Sequence, residues 1–308
     1  MTPGPLAYVT AIVADPDAAA SALERALQLP RQTVDAGGAP RPLLPIGAAA
    51  LLFAAPGDAF VGGDSRPGVH HIALAASNLE STATSLVAAG LIGADHKHDP
   101  GLDGRRRIIV AADRCAGVAT HVTEPLRLAS ASGSLVERFD HIGIASADNA
   151  VAQDVFCRRL GYALESTQTD MEVHIAVESF TSDKYGAIYK TREPETAGGL
   201  RVAFITVGDC ELEFLQDITP QRASIVDHGG PGTTRQDKGA IGRYVATRGP
   251  GLHHVALKVA DGQAALDSLA AAGLALIDRV PRPGSRRALI GFVHPKSLGG
   301  LLLHVVQR

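Results

Sequence analysis

Two periodicities of apolar residues alternate along the chain, one typical of strands and the other typical of helices. Each short apolar run is followed by a polar break and then by apolar residues at helical spacing. In the first such unit, Asp15 is a predicted N-cap and Pro16 the first helical residue. Four runs have the length of a buried strand: LAYVTAIV, HHIALAA, FDHIGIA and HHVALKV.

An internal repeat relates two of these units. PGVHHIALAA begins at Pro67 and PGLHHVALKV begins at Pro250, an offset of 183 in the numbering. The segments that precede them, LAYVTAIVADPD and FDHIGIASADN, are alike more loosely. The chain is therefore predicted to contain four βαβββ modules in two pairs, an α+β fold. The same offset separates Gly90 from Gly273, Pro100 from Pro283, and His121 from His304.

A polar, serine-rich segment, TEPLRLASASGSLVER, separates the two pairs of modules. Such a segment is typical of a linker. A chain of 308 residues also has the length of about two average domains. We therefore predict a domain at 1–125, a linker at 126–138 and a second domain at 139–308.

Composition narrows the classes of partner and compartment. The net charge is −3 and the basic residues are scattered, so neither nucleic acid nor a membrane surface is an expected partner. No run of 18 apolar residues occurs, and the N-terminus has no basic segment followed by an apolar one. Cys115, Cys157 and Cys210 lie far apart without CxxC spacing, as in reduced proteins. A cytoplasmic protein is expected.

Strand alternation places several chemically active side chains beside small residues. In DHIGIA, His141 shares a face with Gly143, and in LHHVALKV, His254 shares a face with Ala256. Glu213 in CELEFL and His304 in LLLHVV alternate with apolar residues in the same way. Small neighbours leave room for a ligand. Alternation places His253 on the opposite, packing face.

The C-terminal pair of modules resembles the vicinal oxygen chelate superfamily, which includes glyoxalase I, methylmalonyl-CoA epimerase, and extradiol and hydroxyphenylpyruvate dioxygenases. The likeness is strongest to the methylmalonyl-CoA epimerases and covers over half of the chain. The N-terminal pair resembles a degenerate copy. The resemblance implies two vicinal-oxygen-chelate domains, each a cupped, incompletely closed barrel. It rests on DHIGIA, VAFITVGDCELEFLQ, RGPGLHHVALKV and GFVHPKSLGGLLLHVVQ.

In that family a divalent metal lies in the cup of each functional pair of modules. Carried over to this chain, the ligand positions are His141, Glu213, His254 and His304. Imidazole and carboxylate ligands suit one Zn, Ni, Co, Mn or Fe ion. The last position is normally Glu in the family, so His304 is a departure, and it could act as a ligand or as an acid–base group. The N-terminal copy keeps His71 and His121.

At the other two positions the N-terminal copy has Tyr8 and Leu52, so this half is predicted to have lost its metal. Further acid–base candidates lie in TDMEVHIAVESF, where Glu172, His174 and Glu178 share one face. A solvent-facing strand would show the same pattern.

The resulting hypothesis is a metal-dependent isomerase, epimerase or lyase that moves a proton next to a carbonyl through His304, Glu172 or His174. An Fe(II) dioxygenase and a non-catalytic binding protein of the bleomycin-resistance kind remain as alternatives. The expected partner is a small molecule, with an acyl-CoA, a 2-oxo acid and an aromatic compound all open. A homodimer also remains open.

Overall fold

The computed structural model of the chain describes residues 3–130, 132–174, 177–184, 186–191, 195–219 and 239–308. Within these ranges, side chains are described except those of 172–182 and 188–197. Two eight-stranded sheets and a separate hairpin form the described structure. The predicted α+β class, with two cupped sheets built from paired modules, is confirmed.

The N-terminal sheet contains the first two modules. Its strands are β1 (Leu6–Ile12), β2 (Gln32–Asp35), β3 (Pro40–Ile46), β4 (Ala49–Ala54), β5 (Gly68–Ala75), β6 (Asp99–Pro100), β7 (Arg106–Val110) and β8 (Thr120–Thr123). Helix α1 (Pro16–Leu27) follows β1, and helix α2 (Leu79–Ala88) follows β5. The spatial order is β2-β3-β4-β1-β5-β8-β7-β6, so the two modules join through β1 and β5.

The C-terminal sheet repeats this arrangement. Its strands and the hairpin are β9 (Val136–Ser146), β10 (Ala163–His174), the hairpin β11 (Val177–Ser182) and β12 (Gly186–Thr191), β13 (Glu195–Val207), β14 (Cys210–Asp217), β15 (Gly251–Val259), β16 (Arg282–Pro283), β17 (Leu289–Val293) and β18 (Leu303–Gln307). The order β10-β13-β14-β9-β15-β18-β17-β16 matches that of the first sheet, with β9 and β15 at the centre.

The helices of this half begin at acidic caps or cover the cup. They are α3 (Asn149–Gln153), continued by a π-helical turn at Asp154–Arg159, α4 (Gly239–Arg248) and α5 (Gly262–Ala271). Side chains cap four of the five α-helices that the structure describes, as predicted for Asp15 in the first module. The caps are Asp15, Asn78, Asp148 and Asp261.

No helix among the described residues is long and apolar enough to cross a membrane. Short 3₁₀ turns lie at Ala59–Val61, Ala112–Arg114, Ser285–Arg287 and Pro295–Leu298.

One hydrophobic core continues through both halves. It includes Leu23 and Leu27 of α1 together with Leu266 and Leu269 of α5. Helices α1 and α5 also touch through a hydrogen bond from the Ser268 hydroxyl to the backbone carbonyl of residue 26. The division into domains 1–125 and 139–308 stays a prediction, because burial is shared between the sheets.

Two reciprocal contacts join the halves. Gly117 lies against Pro250, and Gly300 lies against Pro67. The two glycines are related by the repeat offset, and so are the two prolines, so each contact is the repeat image of the other. The halves thus meet as two copies do across a symmetric dimer interface.

Gly117→Ala should lower the free energy of unfolding by about 2 kcal/mol or more. A β-carbon there, where φ is +86°, would lie 2.6 Å from the Pro250 carbonyl oxygen. The control is Gly104→Ala, where φ is +72° but no atom lies within 4 Å, and where backbone strain alone costs about 1 kcal/mol. The free energies of unfolding of the two full-length variants are measured by urea denaturation and compared. Equal losses would show that the contact between the halves tolerates a methyl group.

Candidate metal centre in the C-terminal cup

The structure brings together the four side chains that the resemblance implies as ligands. They come from four adjacent strands, β14, β9, β15 and β18, at the centre of the sheet. His141 Nε2 lies 3.2 Å from Glu213 Oε2, 3.4 Å from His254 Nε2 and 3.2 Å from His304 Nε2. His254 Nε2 lies 3.6 Å from Glu213 Oε2. All four residues are buried.

Alternation along the strands places these side chains in the cup, as predicted. Ile142 and Ile144 pack in the main core under the helices, whereas Ala145 packs on the cup side with Leu215. Gly143 has a specific reason to be glycine. A β-carbon at this position would overlap the imidazole ring of His254.

The predicted position of His253 on the packing face is wrong. His253 lines the cup beside His254, because a β-bulge interrupts the pairing of β9 with β15 between Leu252 and His254. The inserted residue has no partner on β9, so two successive side chains point the same way. A second bulge lies opposite Leu257 and brings Asp140 into the cup beside His141.

Asp140 is a site residue that the sequence analysis missed. Its Oδ1 accepts a hydrogen bond of 2.8 Å from Nδ1 of His141, and Arg308 Nη2 lies 3.1 Å from the same carboxylate. This pairing fixes the proton of neutral His141 on Nδ1 and directs Nε2 at the other donors. Carboxylate partners of this kind orient metal-ligating histidines. Adjacent positions in a regular strand face opposite sides, so alternation argues against Asp140.

The other two histidines differ in how Nδ1 is held. Nδ1 of His254 lies 3.0 Å from Nδ1 of His253. Nδ1 of His304 is buried and has no hydrogen-bond partner within the described ranges. His304 is therefore the least anchored of the three imidazoles.

The electrostatics of the cluster favour one positive charge at its centre. Burial disfavours protonation of His141, but the Glu213 charge and the Asp140 hydrogen bond outweigh burial and raise the pKa of His141 to about 9. Burial likewise opposes ionisation of Glu213, yet His141 and His254 hold its pKa well below the usual range. Burial lowers the pKa of His254, and it lowers that of His304 further. His254 and His304 are therefore neutral and Glu213 is ionised, the states that bind metals, whereas His141 carries a proton that a metal ion would displace.

The donors lie at the floor of a cavity of about 450 Å³. Apolar side chains form most of its wall, and charged groups stand at its margin. Arg282 bonds to Asp278 at 3.0 Å and lies over the Phe292 ring. Arg286 pairs with Glu211. The apolar wall includes Leu200, Val202, Phe204, Leu215, Ile241 and Phe292.

Three of the predicted acid–base residues, Glu172, His174 and Glu178, lie outside the described side chains. Strand β10 runs as far as His174, and Glu172 pairs with Gly198 of β13. Asp170, two positions before Glu172, lines the cavity. The roles of Glu172 and His174 stay predictions.

In the N-terminal cup, other protein groups occupy the corresponding space. Nε2 of His71 lies 3.0 Å from the Thr10 hydroxyl, and Thr10 pairs with His71 as Gly143 pairs with His254. Nη1 of Arg107 lies 3.3 Å from Nδ1 of His121.

The repeat image of Arg107 is Ile290, which lines the C-terminal cavity. The guanidinium of Arg107 also lies 3.9 Å over the Phe60 ring. Tyr8 and Leu52, at the two remaining positions, are fully buried. An internal cation and a hydroxyl thus satisfy the histidines of this half.

The C-terminal donors fit a divalent metal. Bonds of about 2.0–2.2 Å place the donors of a tetrahedral site roughly 3.3–3.6 Å apart. The separations from His141 and between His254 and Glu213 are 3.2–3.6 Å. Among the described residues, the three histidines lie at metal-ligand spacing from one another, and Glu213 lies at that spacing from two of them, His141 and His254.

Comparison with known proteins agrees with this architecture. A sequence profile of the Glyoxalase/Bleomycin resistance protein/Dioxygenase superfamily matches residues 140–292. "Uncharacterized protein YqjC" of Bacillus subtilis (strain 168) is 24% identical over 129 residues, 42% of this chain and 80% of that protein. The mitochondrial methylmalonyl-CoA epimerase of Dictyostelium discoideum is 34% identical over 58 residues, 19% of this chain and 35% of the epimerase.

A solved structure covers the whole chain. A mutant of 4-hydroxymandelate synthase from Streptomyces coelicolor superimposes with a TM-score of 0.62 at 18% identity, covering 100% of this chain and 93% of that one. This similarity shows a shared fold of two paired units. By the profile match, residues 140–292 belong to the glyoxalase, bleomycin resistance protein and dioxygenase superfamily, also known as the vicinal oxygen chelate superfamily.

Proposed function

We propose that this protein is a divalent-metal-dependent enzyme that binds a small substrate through neighbouring oxygens and transfers a proton next to a carbonyl group. The observation that carries the proposal is the convergence of three imidazoles and one carboxylate on the floor of an apolar cavity. Such a floor suits a cation, and such walls suit the body of a small organic molecule.

His141, Glu213, His254 and His304 would hold one Zn, Ni, Co, Mn or Fe ion. When bound, a divalent ion supplies Lewis-acid polarisation of a carbonyl. Asp140 holds His141 in position, and the apolar walls exclude water from the reacting carbon. The N-terminal cup would hold no metal, since Thr10 and Arg107 already contact its histidines.

The proton carrier is proposed among His304, Glu172 and His174. Burial holds the pKa of His304 well below its ordinary value, so its imidazole is neutral, the state that a ligand and a base both require. It would either complete the ligand set or act as this base. Glu172 and His174 stand as candidates on the strength of the sequence pattern alone.

Anaerobic isotope exchange tests the proposed reaction. The metal-loaded full chain is incubated in deuterated water with panels of acyl-CoA thioesters, 2-oxo acids and aromatic hydroxy ketones, and deuterium uptake is measured by mass spectrometry. We expect exchange at the carbon next to the carbonyl, dependent on metal and independent of oxygen. Tight ligand binding with neither metal nor exchange would instead indicate a binding protein.

An Fe(II) dioxygenase is the second candidate. The observation that favours it is the presence of two histidines and one carboxylate within the donor set, the combination found in non-haem iron oxygenases. Oxygen consumption with Fe(II) and a catechol or 2-oxo acid, without anaerobic exchange, would select this function.

A further inference from the structure

We propose that His253 is a positioning residue that holds His254 in the tautomer whose Nε2 lone pair points at the metal site. The inference rests on the proposed metal-binding function. It also accounts for the pair of adjacent histidines in HHVALKV, of which only the second belongs to the donor set.

The bulge in β15 determines how the rings of His253 and His254 are oriented relative to each other. His253 is the unpaired residue of the bulge, and its ring stands edge-on to that of His254, with centroids 5.3 Å apart and an interplanar angle of 82°. Tyr244 of α4 fixes this arrangement from the other side. Its ring lies 5.0 Å from His253, and its hydroxyl donates a hydrogen bond of 2.7 Å to the Leu252 carbonyl within the bulge.

The contact between the two Nδ1 atoms restricts where His254 carries its proton. At 3.0 Å, two ring nitrogens share one hydrogen, so one donates and the other accepts. If His254 donates from Nδ1, its Nε2 carries a lone pair facing His141 and Glu213. If His253 donates, the proton of His254 lies on Nε2 and blocks cation binding. A metal at the cluster is therefore compatible only with His253 as the acceptor.

The N-terminal copy shows the same unit without the metal site. His70 and His71 lie in an equivalent bulge, with Nδ1 atoms 2.7 Å apart and ring centroids 5.0 Å apart at 82°. There, Nε2 of His71 contacts the Thr10 hydroxyl at 3.0 Å. The pair has thus kept its geometry in both copies, while the partner of the second histidine differs. This duplication supplies a matched control within the same chain.

Two substitutions distinguish the effect of the hydrogen-bond acceptor of His253 from the effect of its ring. His253→Phe keeps a ring against Tyr244 but removes the acceptor, whereas His253→Asn keeps an acceptor oxygen near the place of Nδ1 but removes the ring. His70→Phe makes the same change in the half without a proposed metal site. Each full-length variant is titrated with Co²⁺ and with Zn²⁺, the absorption spectrum of the Co²⁺ form is recorded, and thermal unfolding is followed.

His253→Phe should weaken metal affinity about 10–100-fold, the usual effect of removing a partner of a ligating histidine. His253→Asn should stay within about threefold of the unmodified chain, since it keeps the acceptor. His70→Phe should leave affinity and the Co²⁺ spectrum unchanged. Unchanged affinity in His253→Phe would overturn the inference. Equal losses in the Phe and Asn variants would also overturn it, because they would indicate packing rather than hydrogen bonding.

A measurement on the metal-free chain separates this inference from the proposed function. Nitrogen-15 shifts of the imidazoles report directly which nitrogen is protonated. We expect His254 to be protonated on Nδ1 in the unmodified chain and to lose that preference in His253→Phe. A proton on Nε2 of His254 in the unmodified chain would overturn the inference even if metal binds. Absence of metal binding with the expected tautomer would contradict the proposed function instead.

Discussion

His254→Ala is expected to remove most of the bound divalent metal and to weaken affinity more than about 100-fold, because loss of even an outer partner of a ligand costs 10–100-fold. His254 stands between the two modules of the C-terminal half. Its Nε2 lies 3.4 Å from that of His141 and 3.6 Å from Glu213 Oε2. Alanine removes this donor. A water molecule in its place would bind the metal less firmly than a fixed imidazole does. Metal content after dialysis of the full-length chain is the measurement.

The control is His71→Ala, the same change at the repeat image of His254. His71 is fully buried, so this variant reports what losing a buried histidine does to folding. We expect it to keep one metal per chain while lowering the unfolding temperature. If His71→Ala lost as much metal as His254→Ala, the N-terminal cup would share in binding and the assignment to one centre would be wrong.

The resemblance to the vicinal oxygen chelate superfamily implies the donor set, and two regularities of the sequence predict where its members lie. The repeat offset identifies His254 and His304 as images of His71 and His121. The two-residue period of strands then assigns each donor to a face, and the βαβββ order places their strands side by side. Both regularities can be recognised in the sequence itself, so they need no knowledge of tertiary contacts.

The partners of the donors could not be predicted in the same way. Asp140 and His253 both lie at bulges, where one extra residue reverses the alternation. A bulge changes the register with a distant strand, but it leaves the apolar pattern of its own strand almost unaltered. The adjacent pairs Asp140-His141 and His253-His254 are visible in the sequence, but alternation assigns each pair to opposite faces.

The state of the N-terminal cup illustrates the same limit. Tyr8 and Leu52 at two ligand positions are enough to predict that the metal is lost. The groups that contact the histidines there are Thr10 and Arg107, which come from different strands and meet the histidines only in the folded sheet. Arg107 corresponds to Ile290 in the repeat, and from sequence alone that difference looks like an ordinary surface substitution.

His304→Ala is expected to retain most of the metal yet lower turnover by roughly 10²–10⁴, the contribution of a well-placed acid–base group. Retention follows from its weak anchoring: Nδ1 of His304 has no hydrogen-bond partner within the described ranges, whereas those of His141 and His254 are held. The rate of deuterium uptake, measured beside metal content, separates the two effects. His121→Ala, its repeat image, controls for the loss of a buried imidazole.

The outcome also decides between the two roles left open for His304. Loss of metal in parallel with loss of rate would make His304 a ligand first, and Glu172 or His174 would then be the proton carrier to test. His304→Glu, which introduces the residue that the family usually has there, should restore metal binding in that case, because a carboxylate is an equally good ligand. Full metal content together with full turnover in His304→Ala would contradict both roles and reduce this histidine to a packing residue against Phe292, whose ring centroid lies 4.3 Å from its own.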